Sequence, residues 1–191
     1  MPVTLHLGRA PDKRAVRILS TVQRRLSFLD GAPVRVRFRP SLHAHRGRLV
    51  STSGGQPVHA GTFLRQRLIV FDSALLARPR ELSRIAVHEL AHFIWVRSAN
   101  ALRDEFAALL ASELDHGAKG ELGWSAESRK ANLHRNLPRN WRAYVCESFC
   151  DTAAWLYAGF RVHDEFTLAS RYRLAREKWF VRTFSARVVL I

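Results

Sequence analysis

The sequence predicts an α+β fold, a small mixed sheet packed against several helices, and three observations carry that reading. Apolar residues recur at helical spacing in 11–29, where Ala15, Leu19, Val22, Leu26 and Leu29 form one stripe. Between Pro33 and Pro40, Val34, Val36 and Phe38 alternate with Arg35, Arg37 and Arg39, the period of a half-exposed strand. Residues 79–96 are apolar nearly all round, as in a helix buried within a domain. A chain of 191 residues with 47% hydrophobic content has enough material for one core, so a single domain over 1–191 is expected.

Along the chain, helix 11–29 keeps Lys13, Arg14, Arg17, Arg24 and Arg25 off its apolar stripe and covers one face of the sheet. The arginines of strand 34–38 read as a solvated face. Residues 41–60 hold His43, His45 and His59 around Ser51-Thr52-Ser53-Gly54-Gly55, a loop with a short strand at Leu49-Val50. No GK[ST] follows those glycines, so they read as a flexible turn and not as a phosphate cradle. Isolated loop histidines such as His43 and His45 usually bind no metal. Residues 62–71, with Phe63-Leu64 and Leu68-Ile69-Val70-Phe71, form a strand entering the core. Helix 79–96 follows: Pro79 suits its first turn, Glu81 favours its positive end, and no Gly or Pro interrupts it.

A helix over 102–115 presents Phe106, Leu109, Leu110 and Leu114 on one stripe. Residues 118–140, with Gly120, Gly123, Pro138 and a run of basic residues that includes Arg135, read as a surface loop with a helical turn at 125–133, a wall or lid beside a cleft. Helix 144–157 ends at Gly159. In the last helix, 164–184, Phe166, Tyr172, Leu174, Trp179 and Phe180 supply packing while Arg171, Arg173, Arg176, Lys178 and Arg182 stay wet; 187–191 adds a short strand.

The net charge of +15 raises the question of nucleic acid, because basic surfaces gather phosphate through counterion release. Arg outnumbers Lys by 27 to 4, a bias that GC-rich coding produces without selection for binding, and the charges are spread along the whole chain. No helix-turn-helix, RRM or OB pattern is present. Acidic protein substrates suit the same field. No run reaches ~18 apolar residues and the start lacks the apolar core of a secretory signal, so no membrane partner and a cytoplasmic location are expected. Cys146 and Cys150, the only cysteines, stand one helical turn apart and are poorly oriented for an unstrained disulfide. They read as small buried hydrophobes, with a redox switch or zinc ligation as the alternatives.

His88-Glu89-Leu90-Ala91-His92 is the segment richest in chemistry. On a helix it sets two imidazoles on one face, one turn apart, so both reach a single ion, with Glu89 rotated beside them. This HExxH pattern is a zinc-hydrolase signature. Two histidines and a glutamate inside an apolar helix each cost several kcal/mol if they bind nothing, and a metal offsets that cost. Catalytic zinc takes three protein ligands and leaves a position for water, so a third must come from elsewhere. Glu147, with Asp151 one turn on, is the leading candidate: one carboxylate for the ion, the other for the outer nitrogen of a ligand histidine. His116 of His116-Gly117 is the rival, although that pair also reads as a helix end.

With HExxH at His88, Glu89 and His92 and ExxxD at Glu147 and Asp151, the sequence resembles the gluzincin superfamily of zinc metallopeptidases, in particular its small members called minigluzincins. The resemblance implies a zincin-like domain and a metalloendopeptidase. It implies one Zn2+ on His88, His92 and Glu147, a zinc-activated water deprotonated by Glu89, and Asp151 supporting His88. It also implies that the strand ahead of the active-site helix pairs with an extended peptide or protein substrate. Tyr144, Tyr157, His134 and His163 are candidates for steadying the oxyanion, with no choice among them. His116-Gly117 instead resembles the SprT-like, DNA-associated metalloproteases, but no Cys-based zinc ribbon follows it. A third reading is a non-proteolytic DNA-binding or regulatory protein with a metalloprotease-like domain.

Overall fold

The computed structural model describes residues 3–8, 12–45, 48–50, 55–134, 137–185 and 187–191. Pro11, the turn expected at 51–54 and Arg135 lie outside them. In chain order the elements are β1 (Leu5–Leu7), α1 (Lys13–Arg25), β2 (Leu29–Asp30), β3 (Val34–Arg39), β4 (His43–His45), β5 (Arg48–Val50), β6 (Gln56–Pro57), β7 (Ala60–Phe63), β8 (Leu68–Asp72), α2 (Pro79–Arg97), α3 (Asn100–Asp115), α4 (Trp124–Ala131), α5 (Pro138–Tyr157), α6 (Ser170–Phe184) and β9 (Val189–Leu190).

The main sheet has the order β1-β3-β8-β7, parallel except for the last pair. It is the mixed sheet expected. Asp12 caps α1 by accepting from the amides of Arg14 and Ala15, and the helix turns Ala15, Leu19 and Val22 inward. Leu19 and Val22, with Val34, Val36, Ile69 and Phe71, belong to the core that also receives α2. α1 stops at Arg25, short of the expected Leu29, because Leu29 pairs with Val189 in a parallel two-stranded sheet of β2 and β9. A third small sheet, β5-β4-β6, fills much of 41–60. Its Leu49, with Leu42 and Val58, packs on Leu68 and Val70.

Two expectations need correction in ways that bear on function. The single strand expected over 62–71 is two strands, β7 and β8, joined by a turn in which Arg67 takes a left-handed conformation at φ 46°. β8 is therefore interior, and β7 is an edge strand, with β1 at the opposite edge. Arg176, expected in solvent, is fully buried. It donates to Glu113 at 2.6 Å and to Glu121 at 2.8 Å, and Tyr144 donates to the same Glu121 at 2.5 Å. This buried network ties α6 to α3 and α5. Leu174, expected to pack, is exposed instead.

α5 begins at Pro138, earlier than the expected 144, since Pro is well placed in a first turn. α2 and α5 lie against each other and carry most of the chemistry-bearing side chains. Among the described residues no helix is long and apolar enough to cross a membrane.

Candidate metal centre

α2 buries His88 and Glu89 along with Leu82, Ala86, Val87, Leu90, Ala91, Phe93 and Ile94, so its packing drives the motif into the interior. The two imidazoles stand edge to face with centroids 5.0 Å apart. Nδ1 of His88 lies 2.8 Å from Oδ1 of Asp151, and the other oxygen of Asp151 accepts from the amide of Ala126 at 2.8 Å. That amide belongs to the first turn of α4, whose positive end suits a carboxylate. The segment expected as a wall or lid thus holds Asp151 in place.

The remaining nitrogen of His88, Nε2, lies 3.3 Å from Oε2 of Glu147, and Nε2 of His92 lies 4.0 Å from the same oxygen. On its other edge, Nδ1 of His92 faces Sγ of Cys146 at 3.7 Å and Sγ of Cys150 at 3.4 Å. His88, His92 and Cys150 form a cluster whose potential ligand atoms all lie within 4.8 Å of one another, a group that can hold a metal ion. The cysteines are therefore more than apolar filler. Their signal was in the sequence: they flank Glu147 on the helix that faces the two histidines.

Neither Glu147 nor His116 is one of that group's three residues, but Glu147 faces both imidazoles and His116 faces neither. It caps α3, exposed, with its ring 2.7 Å from the carbonyl of Ser112 and its own carbonyl accepting from Tyr172. The helix-end reading of His116-Gly117 holds, and the role of third ligand does not pass to it.

The charges around the imidazoles are strongly coupled. Burial disfavours a charged His88, but Asp151, Glu147 and Glu89 outweigh it and raise its pKa well above the ordinary imidazole value. Burial likewise opposes ionisation of Glu147, yet His88 and then His92 draw its pKa down to about 2. Beside Cys150, and against the effect of burial, the Cys146 thiol falls to about 6 with help from His92. The pocket thus favours positive charge on the imidazoles beside the Glu147 carboxylate.

Glu89 points elsewhere. Its Oε2 accepts from Oγ1 of Thr62 in β7 at 2.6 Å. Glu89 and His88 line a cavity of 470 Å3 together with His59, Ala60, Trp124 and Glu165. Arg84 in its wall is held by Glu165 at 2.9 Å and by Glu81 at 2.7 Å. None of the four oxyanion candidates lines this cavity. Tyr144 is committed to Glu121, His163 bonds Glu81 at 2.5 Å, Tyr157 packs tilted against Phe28, and His134 is exposed.

The mixed sheet, the motif-bearing helix against it and the clustered His88, His92 and Cys150 define an α+β, zincin-like fold with a metalloenzyme-like site. The chain matches no protein-family model, no curated protein and no solved structure, so this class rests on the geometry alone.

Proposed function

We propose that this chain is a zinc metallopeptidase of the gluzincin kind, cutting peptide bonds within a protein or peptide substrate, with one Zn2+ held by Nε2 of His88, Nε2 of His92 and the carboxylate of Glu147. The observation that carries the reading is that both Nε2 atoms face a single oxygen of Glu147, at 3.3 and 4.0 Å. Donors bound to one zinc at ~2.0–2.2 Å in a tetrahedron stand roughly 3.3–3.6 Å apart, so the set fits the ion with small adjustments. Cys150 is the weaker third ligand for this ion. Its sulfur faces Nδ1 of His92, and Nδ1 of His88 is already taken by Asp151. One imidazole cannot turn both nitrogens to the same ion.

When bound, zinc supplies Lewis acidity that activates a water and polarises a carbonyl. The chain's own residues do the rest. Asp151 accepts a hydrogen bond from the Nδ1–H of His88, which fixes the tautomer that leaves Nε2 free. Glu89 is the general base: its carboxylate accepts the proton of the attacking water and returns it to the departing amine. Thr62 donates to Glu89 and so holds that carboxylate toward the cavity. The rim of β7 opposite β8 pairs with no strand among the described residues and offers main-chain groups to an extended peptide.

Metal analysis of protein purified without added zinc, with cleavage of a peptide library followed by mass spectrometry, tests the proposal. One zinc per chain and chelator-sensitive cleavage are expected. Metal-free protein that cuts as well as loaded protein would sink it.

A further inference from the structure

The proposed hydrolytic site uses one edge of the His92 ring and leaves a pair of sulfurs on the other. Cys146 and Cys150 are one turn apart on α5, so both thiols leave the same face of that helix. Cys146 is half-buried and Cys150 buried, and their sulfurs lie 3.7 and 3.4 Å from Nδ1 of His92. An ion bound to nitrogen at ~2.0 Å and to sulfur at ~2.3 Å, in trigonal or tetrahedral geometry, sets those atoms roughly 3.5–3.7 Å apart. Both sulfur-to-nitrogen spacings match those of ligands about a common centre.

We propose that Cys146, Cys150 and Nδ1 of His92 form a second cation site, for a thiophilic ion such as Cu(I) or Cd(II). Two thiolates and an imidazole are a soft donor set, which prefers such ions to Mg2+, Ca2+ or Mn2+. Glu147 lies between the two cysteines in sequence, but its carboxylate faces the Nε2 side of the imidazoles and leaves the sulfurs to themselves. A divalent ion entering the site displaces one proton from each thiol, and both protons pass to solvent. Nδ1 contributes its lone pair from the tautomer that carries hydrogen on Nε2. The site stands on these three side chains, and because a neutral ring offers one lone pair, His92 serves either this ion or the one proposed for the Nε2 side, not both at once.

Cadmium added to the reduced, metal-free full-length chain tests the assignment. One equivalent should produce sulfur-to-cadmium charge-transfer absorption in the ultraviolet, which nitrogen and oxygen ligands do not give. X-ray absorption on the unmutated, cadmium-loaded chain should then count two sulfur neighbours. Cys146→Ser should lose most of the band, while Glu147→Gln should keep it even though the proposed hydrolytic site is damaged. A cadmium shell of nitrogen and oxygen alone, or a full band in Cys146→Ser, overturns the proposal.

Discussion

Gly123 sits directly against the carboxylate of Asp151: a Cβ at this position would lie 2.6 Å from Oδ2 and nearer still to the rest of the group. Because Asp151 grips Nδ1 of His88, a methyl group placed there pushes on a ligand two residues removed. Gly123→Ala is expected to lower zinc affinity by about 10- to 100-fold with helix content unchanged. Competition with a chromogenic chelator measures it, and wild-type affinity would show that α4 does not position Asp151.

The third donor can be found by removing one side chain at a time. Glu147→Ala is expected to empty the zinc site, whereas Cys150→Ala and His116→Ala keep about one ion per chain. Elemental analysis of each purified variant gives the answer. An empty site in Cys150→Ala with a full one in Glu147→Ala would reverse the assignment.

Glu89→Gln keeps the shape of the side chain and removes the proposed base. Zinc content should stay at the wild-type level while turnover falls by at least about 10^2-fold, the usual worth of a positioned general base. Thr62→Val should give a smaller loss confined to kcat, because it loosens the carboxylate without removing it. Equal turnover in Glu89→Gln and wild type would end the proposed mechanism.

Acid should find the weak point of the fold in the network under α6. Burial works against ionised Glu121, but Arg176, Tyr144 and Lys130 together hold its pKa below the ordinary 4.5. A folded-state pKa lower than the unfolded one means that its stabilisation is complete above pH 4.5 and is lost as pH falls through the lowered value. Glu113 runs the opposite way, since burial raises it despite Arg176, and so it does not add to this acid limb. Thermal melts down the acid range should therefore show a declining limb that Glu121→Gln flattens. Arg176→Met, which strands two buried carboxylates, is expected to cost about 3–5 kcal/mol at neutral pH. An unchanged melting profile in Glu121→Gln would assign the acid limb to other groups.

Much of the fold was legible because long periodic segments leave few options. The helices expected at 79–96 and 102–115 are observed as Pro79–Arg97 and Asn100–Asp115, and the alternation at 34–38 gives β3. Arg176 was misread although its place was written in the sequence: it stands four residues after Tyr172 and four before Phe180, inside the buried stripe of α6. Charge suggested solvent, and position decided otherwise. The split of 62–71 depends on Arg67 accepting a left-handed turn, which no local residue preference announces. In the site, helical spacing brought His88 near His92 and Glu147 near Asp151. What it could not supply was the rotation of α5 relative to α2, and that rotation sends the two sulfurs to the far edge of His92.

The hydroxyl of Thr62 joins the outermost strand to the base. Under the proposed function, a peptide that zips onto Ala60–Phe63 would tug on the same short ribbon that aims Glu89, and docking and proton transfer would become one mechanical variable. Poorly matched sequences should then seat themselves readily and react slowly, so that selectivity is written in turnover more than in affinity.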